Sequence, residues 1–151
     1  MNNRQIIITV FLSLATVLPA TAQDSKAYAR MATAAWSAFE CSSLASKAGK
    51  PKEQERLFLY GYEQGKKFIS ALQTKKVEQK DLTSEAPLIM LLLLQGPSPD
   101  FMLGRVYESA QDSALKEVFN TGDHFNSDEE QRTIAANKFR EINCQLIGNG
   151  R

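Results

Sequence analysis

A chain of 151 residues with 18 Lys and Arg, 17 Asp and Glu, one His, one Trp and two Cys has the length of one domain and a globular composition. It lacks the basic excess of a polyanion binder and the cysteine density of a disulfide scaffold, and it is short for a two-domain cofactor enzyme. What remains is a small folded domain whose role must be sought in local features.

Residues 1–22 read as a processing signal. Arg4 supplies a positive n-region, Ile6–Leu18 is apolar but for Thr9, Ser13 and Thr16, and Pro19 breaks the run. Ala20-Thr21-Ala22 fits the small-x-small rule for cleavage before Gln23. The run of about 13 residues falls short of the roughly 20 that span a bilayer as a helix. The expectation is a cleaved signal peptide, 1–22, and a helical domain, 23–151, left without a stable membrane anchor. No cysteine follows the site, which argues against a lipidated N-terminus. Arg4 is the only charged residue removed, so 17 basic and 17 acidic residues remain and the mature domain is formally neutral. It has no long-range field to steer it to nucleic acid or anionic lipid. The short leader looks bacterial and points to the periplasm or the exterior. There, Cys41 and Cys144 are expected to form a disulfide.

Helix signals dominate the rest. A first helix is predicted over Tyr28–Ala48, with Tyr28, Met31, Ala32, Ala35 and Phe39 on one face, Trp36 at its edge, and Arg30, Thr33, Ser37 and Glu40 opposite. Gly49-Lys50-Pro51 ends it. A second, Lys52–Gln73, gathers Leu57, Phe58, Gly61, Gly65, Phe68, Ile69 and Leu72 on one face. Mid-helix glycine costs about 1 kcal/mol against alanine, so Gly61 and Gly65 predict a closely passing backbone. Thr74–Thr83 reads as a polar loop with one short turn at Val77–Asp81.

Leu88–Leu94 is seven consecutive apolar residues, rich in Leu and Met and therefore helical. Being apolar all round, it is expected as a central core helix, the alternative being a homodimer contact on one face. Ser98-Pro99-Asp100 starts a helix that continues to Phe119. Its expected buried side is Leu103, Gly104, Tyr107, Ala110, Ala114 and Val118. Ser127-Asp128-Glu129-Glu130 is a capping box for a last helix ending near Ile147 and Gly148. Its inner face, Ala135, Phe139, Ile142 and Leu146, lies almost opposite Cys144. Either the helix unwinds there, or the first helix packs outside it, or Cys144 bonds another chain; the second is preferred. The sum is an all-α single-domain bundle of about five helices with one disulfide and no convincing strand.

Chemistry is poorly signalled. The Asp123–Glu130 segment, with the single His124, lacks calcium-loop spacing, and its serine and acids are explained by capping. No G-x-S-x-G or Gly-rich phosphate loop occurs. Glu108 and Asp112 share a stripe with Arg105 and Lys116 and read as a solvated ion-paired face. Neither a catalytic residue, a metal nor a cofactor is expected, and the chain is read as not an enzyme. Candidate partner-binding residues are Leu59, Tyr60 and Tyr62, which lie away from or at the edge of the glycine stripe, and Phe101 and Arg105 on the border of the fourth helix. Gly61, Gly65 and Gly104 are the candidates for close helix packing.

The segments W-S-A-F-E-C (Trp36–Cys41), R-L-F-L-Y-G-Y-E-Q-G-K-K-F (Arg56–Phe68) and G-P-S-P-D-F-M-L-G-R-V-Y-E (Gly96–Glu108) resemble small signal-peptide-bearing helical proteins of proteobacteria and their phages, over about Ala34 to Val118. That resemblance implies no activity. More distantly, the secreted helical plan with a G-Y-x-x-G helix and a terminal cysteine pair is similar to periplasmic immunity proteins that neutralise type VI amidase effectors. It implies a binding protein with a protein partner in the cell envelope, an inhibitor or immunity protein acting by steric occlusion. Two other functions stand beside it. One is a small-ligand or lipid carrier with an apolar pocket between the glycine helix and Leu88–Leu94. The other is a carboxylate-dependent envelope hydrolase.

Overall fold

The computed structural model describes residues 20–149. The expected signal peptide lies outside the described residues except for Ala20–Ala22, which open the first helix. Six helices follow in order: α1 (Ala20–Lys47), α2 (Pro51–Gln73), α3 (Gln79–Glu85), α4 (Leu88–Leu93), α5 (Pro99–Phe119) and α6 (Asp128–Glu141). A two-residue hairpin, β1 (Asn120–Thr121) and β2 (His124–Phe125), joins α5 to α6, and a 3-10 turn, Cys144–Leu146, follows α6. The mainly helical fold with one disulfide is as the sequence predicts. The hairpin is an addition to it, paired Asn120 to Phe125 and Thr121 to His124 around Gly122 at φ +61°.

The centre of the bundle is α1, against which α2, α3, α5 and α6 all pack. Ala29, Ala32, Ala35 and Ala38 are fully buried on it. Small side chains let several neighbours approach one helix, which explains why the alanine-rich helix, and not the leucine-rich one, occupies the middle. Gly49, at φ +69°, ends α1, the Lys50 N–H bonds back to the Ala45 carbonyl at 2.9 Å, and Pro51 begins α2 at once. The result is a tight antiparallel α1–α2 pair. At Gly61 an added Cβ would lie 2.9 Å from the Phe39 ring and 3.1 Å from the Ala38 Cβ. At Gly65 it would lie 2.4 Å from a Leu103 methyl, so both glycines serve close helix contacts. Gly104 does not: nothing lies within 4 Å of its Cβ position, and it is exposed.

Two apolar clusters run along α1. One joins Ala32, Ala35, Phe39, Phe68, Ile69, Met90, Leu103, Val106 and Ala110. The other joins Leu44, Leu57, Leu115, Val118, Ala135 and Phe139 around the Cys41–Cys144 disulfide. The buried stripe of α5 is therefore Leu103, Val106, Ala110, Leu115 and Val118. Tyr107 and Ala114, expected inside, are only half-buried. The stripe packs on α1 along its length, with Phe68 and Ile69 of α2 beside its first half and Ala135 and Phe139 of α6 beside its last turns.

Five further expectations are corrected. Helix α3 occupies part of the predicted loop because Ser25 of α1 reaches across to cap it. The Ser25 hydroxyl accepts the Glu78 N–H at 2.8 Å and donates to Asp81 Oδ2 at 2.5 Å. Helix α4 is not a core helix: only Met90 is buried, while Leu88, Ile89 and Leu92 are 70%, 42% and 56% exposed. Helix α6 stops at Glu141 because Asn143 turns left-handed, at φ +56°, and the chain tightens into the 3-10 turn. That unwinding, and not an outside position of α1, brings Cys144 inward to Cys41 with their Cα atoms 5.5 Å apart. The same turn leaves Ile142 and Leu146, expected on the inner face, more than half exposed.

Local capping is as expected. Ser98 accepts the Phe101 N–H, and Ser127 and Glu130 form the reciprocal capping box of α6. Among the described residues every buried side-chain polar atom has a hydrogen-bond partner.

Candidate interaction surfaces

The sequence candidates do not converge on one surface. Leu59 is 53% exposed. Tyr60 is half-buried, with its ring against Gly148 in the C-terminal segment. Tyr62 donates its hydroxyl to Asp100 Oδ1 at 2.7 Å and stacks on Phe58, and the Asp100 bond holds its phenol above the usual tyrosine range. Phe101 lies against Gly96 with half its surface free. Arg105 donates to the Leu93 and Gln95 carbonyls, closing the C-terminal end of α4. Tyr62 and Arg105 thus pin the α4–α5 corner to the bundle, and Phe101 borders that corner.

The corner positions the largest group of exposed apolar side chains that the sequence reading placed inside, Leu88, Ile89 and Leu92 on α4. Monomeric soluble proteins rarely display such groups without a use. The run holds the signal, since seven apolar residues need cover, but it does not say that the other described helices leave three of them in solvent.

The second feature is a groove of about 840 Å³ along the free face of α1. Its floor is Arg30, Thr33, Ala34, Ser37, Glu40 and Cys41, roughly 16 Å of helix at 1.5 Å per residue. Ser84 and Glu85 close one end; Ile142, Ile147 and Gly148 close the other, and Tyr60 lines it too. Arg56 fixes the C-terminal end by donating to the Ile147 carbonyl at 2.5 Å while pairing with Glu53 at 2.7 Å.

The two groove carboxylates differ in kind. Glu85 pairs with Lys26 at 2.9 Å and Arg30 at 3.0 Å, and these cations hold its carboxyl below the usual range. Its backbone carbonyl accepts the Thr33 hydroxyl at 2.5 Å. Burial instead pushes the Glu40 carboxyl up, against the opposing pull of hydrogen bonds from Ser113 and Trp36. Thr33 and Glu40 stand two turns apart, about 10 Å, and Glu85 turns toward Arg30 and Lys26 on the far side of Thr33. A carboxyl whose folded pKa is raised favours the native state below the ordinary Glu range, and that advantage is lost as pH rises through the folded value. Glu40→Gln is accordingly expected to raise Tm at pH 7, with the gain vanishing near pH 3; an unchanged or lowered Tm at pH 7 contradicts it.

The Asp123–Glu130 segment is structural. Glu130 accepts the Ser127 N–H and hydroxyl, which lower its pKa most, and His124 Nε2 lies 3.6 Å from the same oxygen. Among the described residues no group of three or more His, Cys, Asp or Glu is arranged to hold a metal ion, and no helix is long and apolar enough to cross a membrane. Glu108 and Asp112 are exposed on α5. Comparison of the chain with protein-family models, curated proteins and solved structures finds no match. The class defined by fold and surface is a disulfide-clamped helical domain.

Proposed function

We propose that this is an exported helical binding protein, an inhibitor or immunity protein that occludes a cell-envelope enzyme by contact. The observation that carries the reading is the α4 face, where Leu88, Ile89 and Leu92 stand in solvent on a helix fixed at its far end by Arg105. An exposed apolar patch on a supported helix suits a protein interface, whose centre gains most from desolvating apolar side chains. The signal-peptide pattern and the disulfide agree with an oxidising compartment outside the cytoplasm. The carrier reading draws no support from the glycine stripe, because Phe39 and Leu103 fill the space beside Gly61 and Gly65.

The test is affinity capture from periplasmic extract with the wild type and with Leu88→Asp/Leu92→Asp. Both side chains are exposed, so the variant is expected to keep its Tm within about 2 °C while losing a stoichiometric partner. Recovery of no partner by wild type, or equal recovery by both proteins, defeats the proposal. A wild-type dimer that the variant lacks assigns the face to a second copy instead. Mass spectrometry of the exported protein tests the leader, with mature residues expected to begin at Gln23.

A further inference from the structure

We infer that the groove on α1 receives a lysine or arginine side chain from a protein partner, with Glu40 as its counter-ion. Glu85, at one end of the same groove, and Glu53, on the helix that carries Tyr60, each have a cation in ion-pair contact. Glu40 has none among the described residues. Its partners are neutral: Ser113 Oγ donates to Oε1 at 3.1 Å, and the Trp36 side chain supplies a second donor. A carboxylate withdrawn from water without a cation is unfavourable, and burial here outweighs both donors. Among the described residues the position thus holds an acceptor without a cationic partner.

The groove has the shape for that partner. Thr33, Ala34 and Ser37 are small, so the middle of α1 is left open between α3 and the C-terminal turn. Ile142 and Ile147 line one end, where the aliphatic stem of Lys or Arg can lie while its charged head reaches Glu40. Two neutral donors leave carboxylate lone pairs free, and a guanidinium can take both oxygens at once. At the far end Lys26 and Arg30 share the single carboxylate of Glu85, so the groove offers its uncompensated negative charge only at Glu40. The protein source of the cation rests on the function proposed above; recognition of the cation itself does not.

The experiment is a heteronuclear NMR titration of the full mature protein with acetyl-Ala-Arg-Ala-amide and with the peptide in which neutral citrulline replaces arginine. The arginine peptide is expected to shift Thr33, Ser37, Glu40 and Gly148, and the citrulline peptide to bind about tenfold more weakly, as loss of a charge-assisted hydrogen bond predicts. Glu40→Gln is expected to bring the arginine peptide down to the citrulline level. Ser37→Trp, which fills the groove from its floor, is expected to abolish both. Equal binding of the two peptides, persistence in Glu40→Gln, or no shift in the groove up to the solubility limit overturns the inference. Because blocked peptides are the probes, such a failure is separable from a failed capture of an envelope protein, and the converse also holds.

Discussion

Cys41→Ala/Cys144→Ala is expected to lose about 4–5 kcal/mol of stability, the largest effect of any change considered for this chain. The bond closes a loop of 103 residues, and in the chain-entropy picture a loop of that length raises the free energy of the unfolded ensemble by about that amount. The sulfurs also lie fully buried among Leu44, Leu57, Val118 and Phe139, so the pair clamps the second apolar cluster from within. For a domain of this size the loss corresponds to a fall in Tm on the order of 15 °C. Thermal unfolding by circular dichroism, with and without reductant, measures it. A reduced wild type that melts within about 2 °C of the oxidised one would show that the bond is incidental. The loss has a local part as well. Without the bond, the segment after Asn143 keeps the Arg56 contacts to the Ile147 and Cys144 carbonyls, the packing of Ile147 on the second cluster and the seat of Gly148 on Tyr60. Hydrogen exchange at Leu146, Ile147 and Asn149 is therefore expected to quicken more than at α2, and the groove to lose its C-terminal end.

The second large effect concerns three glycines of one type and opposite consequence. At Gly61 a methyl group meets the Phe39 ring, which is held by Phe58 and by the edge of Tyr107, with centroids at 5.9 and 5.4 Å. An aromatic ring wedged on two sides cannot yield as an alkyl tip can. Gly61→Ala is expected to gain about 1 kcal/mol of helix propensity and lose more to overpacking, for a net loss of about 1–2 kcal/mol. Gly61→Val, with two more methyls against the same ring, is expected to cost about 3 kcal/mol or more. At Gly65 the obstacle is one terminal methyl of Leu103, which can rotate, so Gly65→Ala is expected near neutrality despite its shorter contact. At Gly104 nothing stands in the way, and Gly104→Ala is expected to stabilise by about 1 kcal/mol. Urea denaturation decides the order through the midpoint at constant slope. If Gly61→Ala proved as stable as Gly104→Ala, the α1–α2 contact would not be the tight one described.

These glycines also mark how far residue order reaches. The periodicity of α2 identifies Gly61 and Gly65 as close packing positions, and they are, although what they meet are the side chains of Phe39, Ala38 and Leu103. The same reasoning misplaces Gly104, whose angular position borders the buried stripe of α5 while its neighbours α1 and α2 lie on the other side. The interaction surfaces were less visible than the helices. Leu59, Tyr60 and Tyr62 stand out in the sequence by lying away from or at the edge of the glycine stripe, and Phe101 and Arg105 by forming a mixed aromatic and charged edge. The fold found neighbours for Tyr60, Tyr62 and Arg105 and left Leu59 and half of Phe101 in solvent. On a helical wheel Glu40 belongs to the polar stripe of α1, and only the fold brings Ser113 of α5 onto it and leaves it half-buried. Leu88–Leu94 was noticed for its apolarity and assigned to the interior, since a sequence shows that a face needs cover and not whether the cover belongs to the same molecule.

The residue order alone specifies the all-α class, most helix boundaries, the expectation that Cys41 and Cys144 are oxidised and the capping box at Ser127; that the bond is within one chain is seen only in the fold. Each depends on groups a few residues apart, or on there being just two cysteines to join. The tertiary structure alone decided that alanine-rich α1 takes the centre, that Ser25 caps α3 across the bundle, and that Asn143 breaks α6 to deliver Cys144. It also decided that α4 stays outside. The physical reason is one of range. Capping and periodicity are settled by hydrogen bonds within a turn or two, whereas burial depends on which distant helices arrive to exclude water.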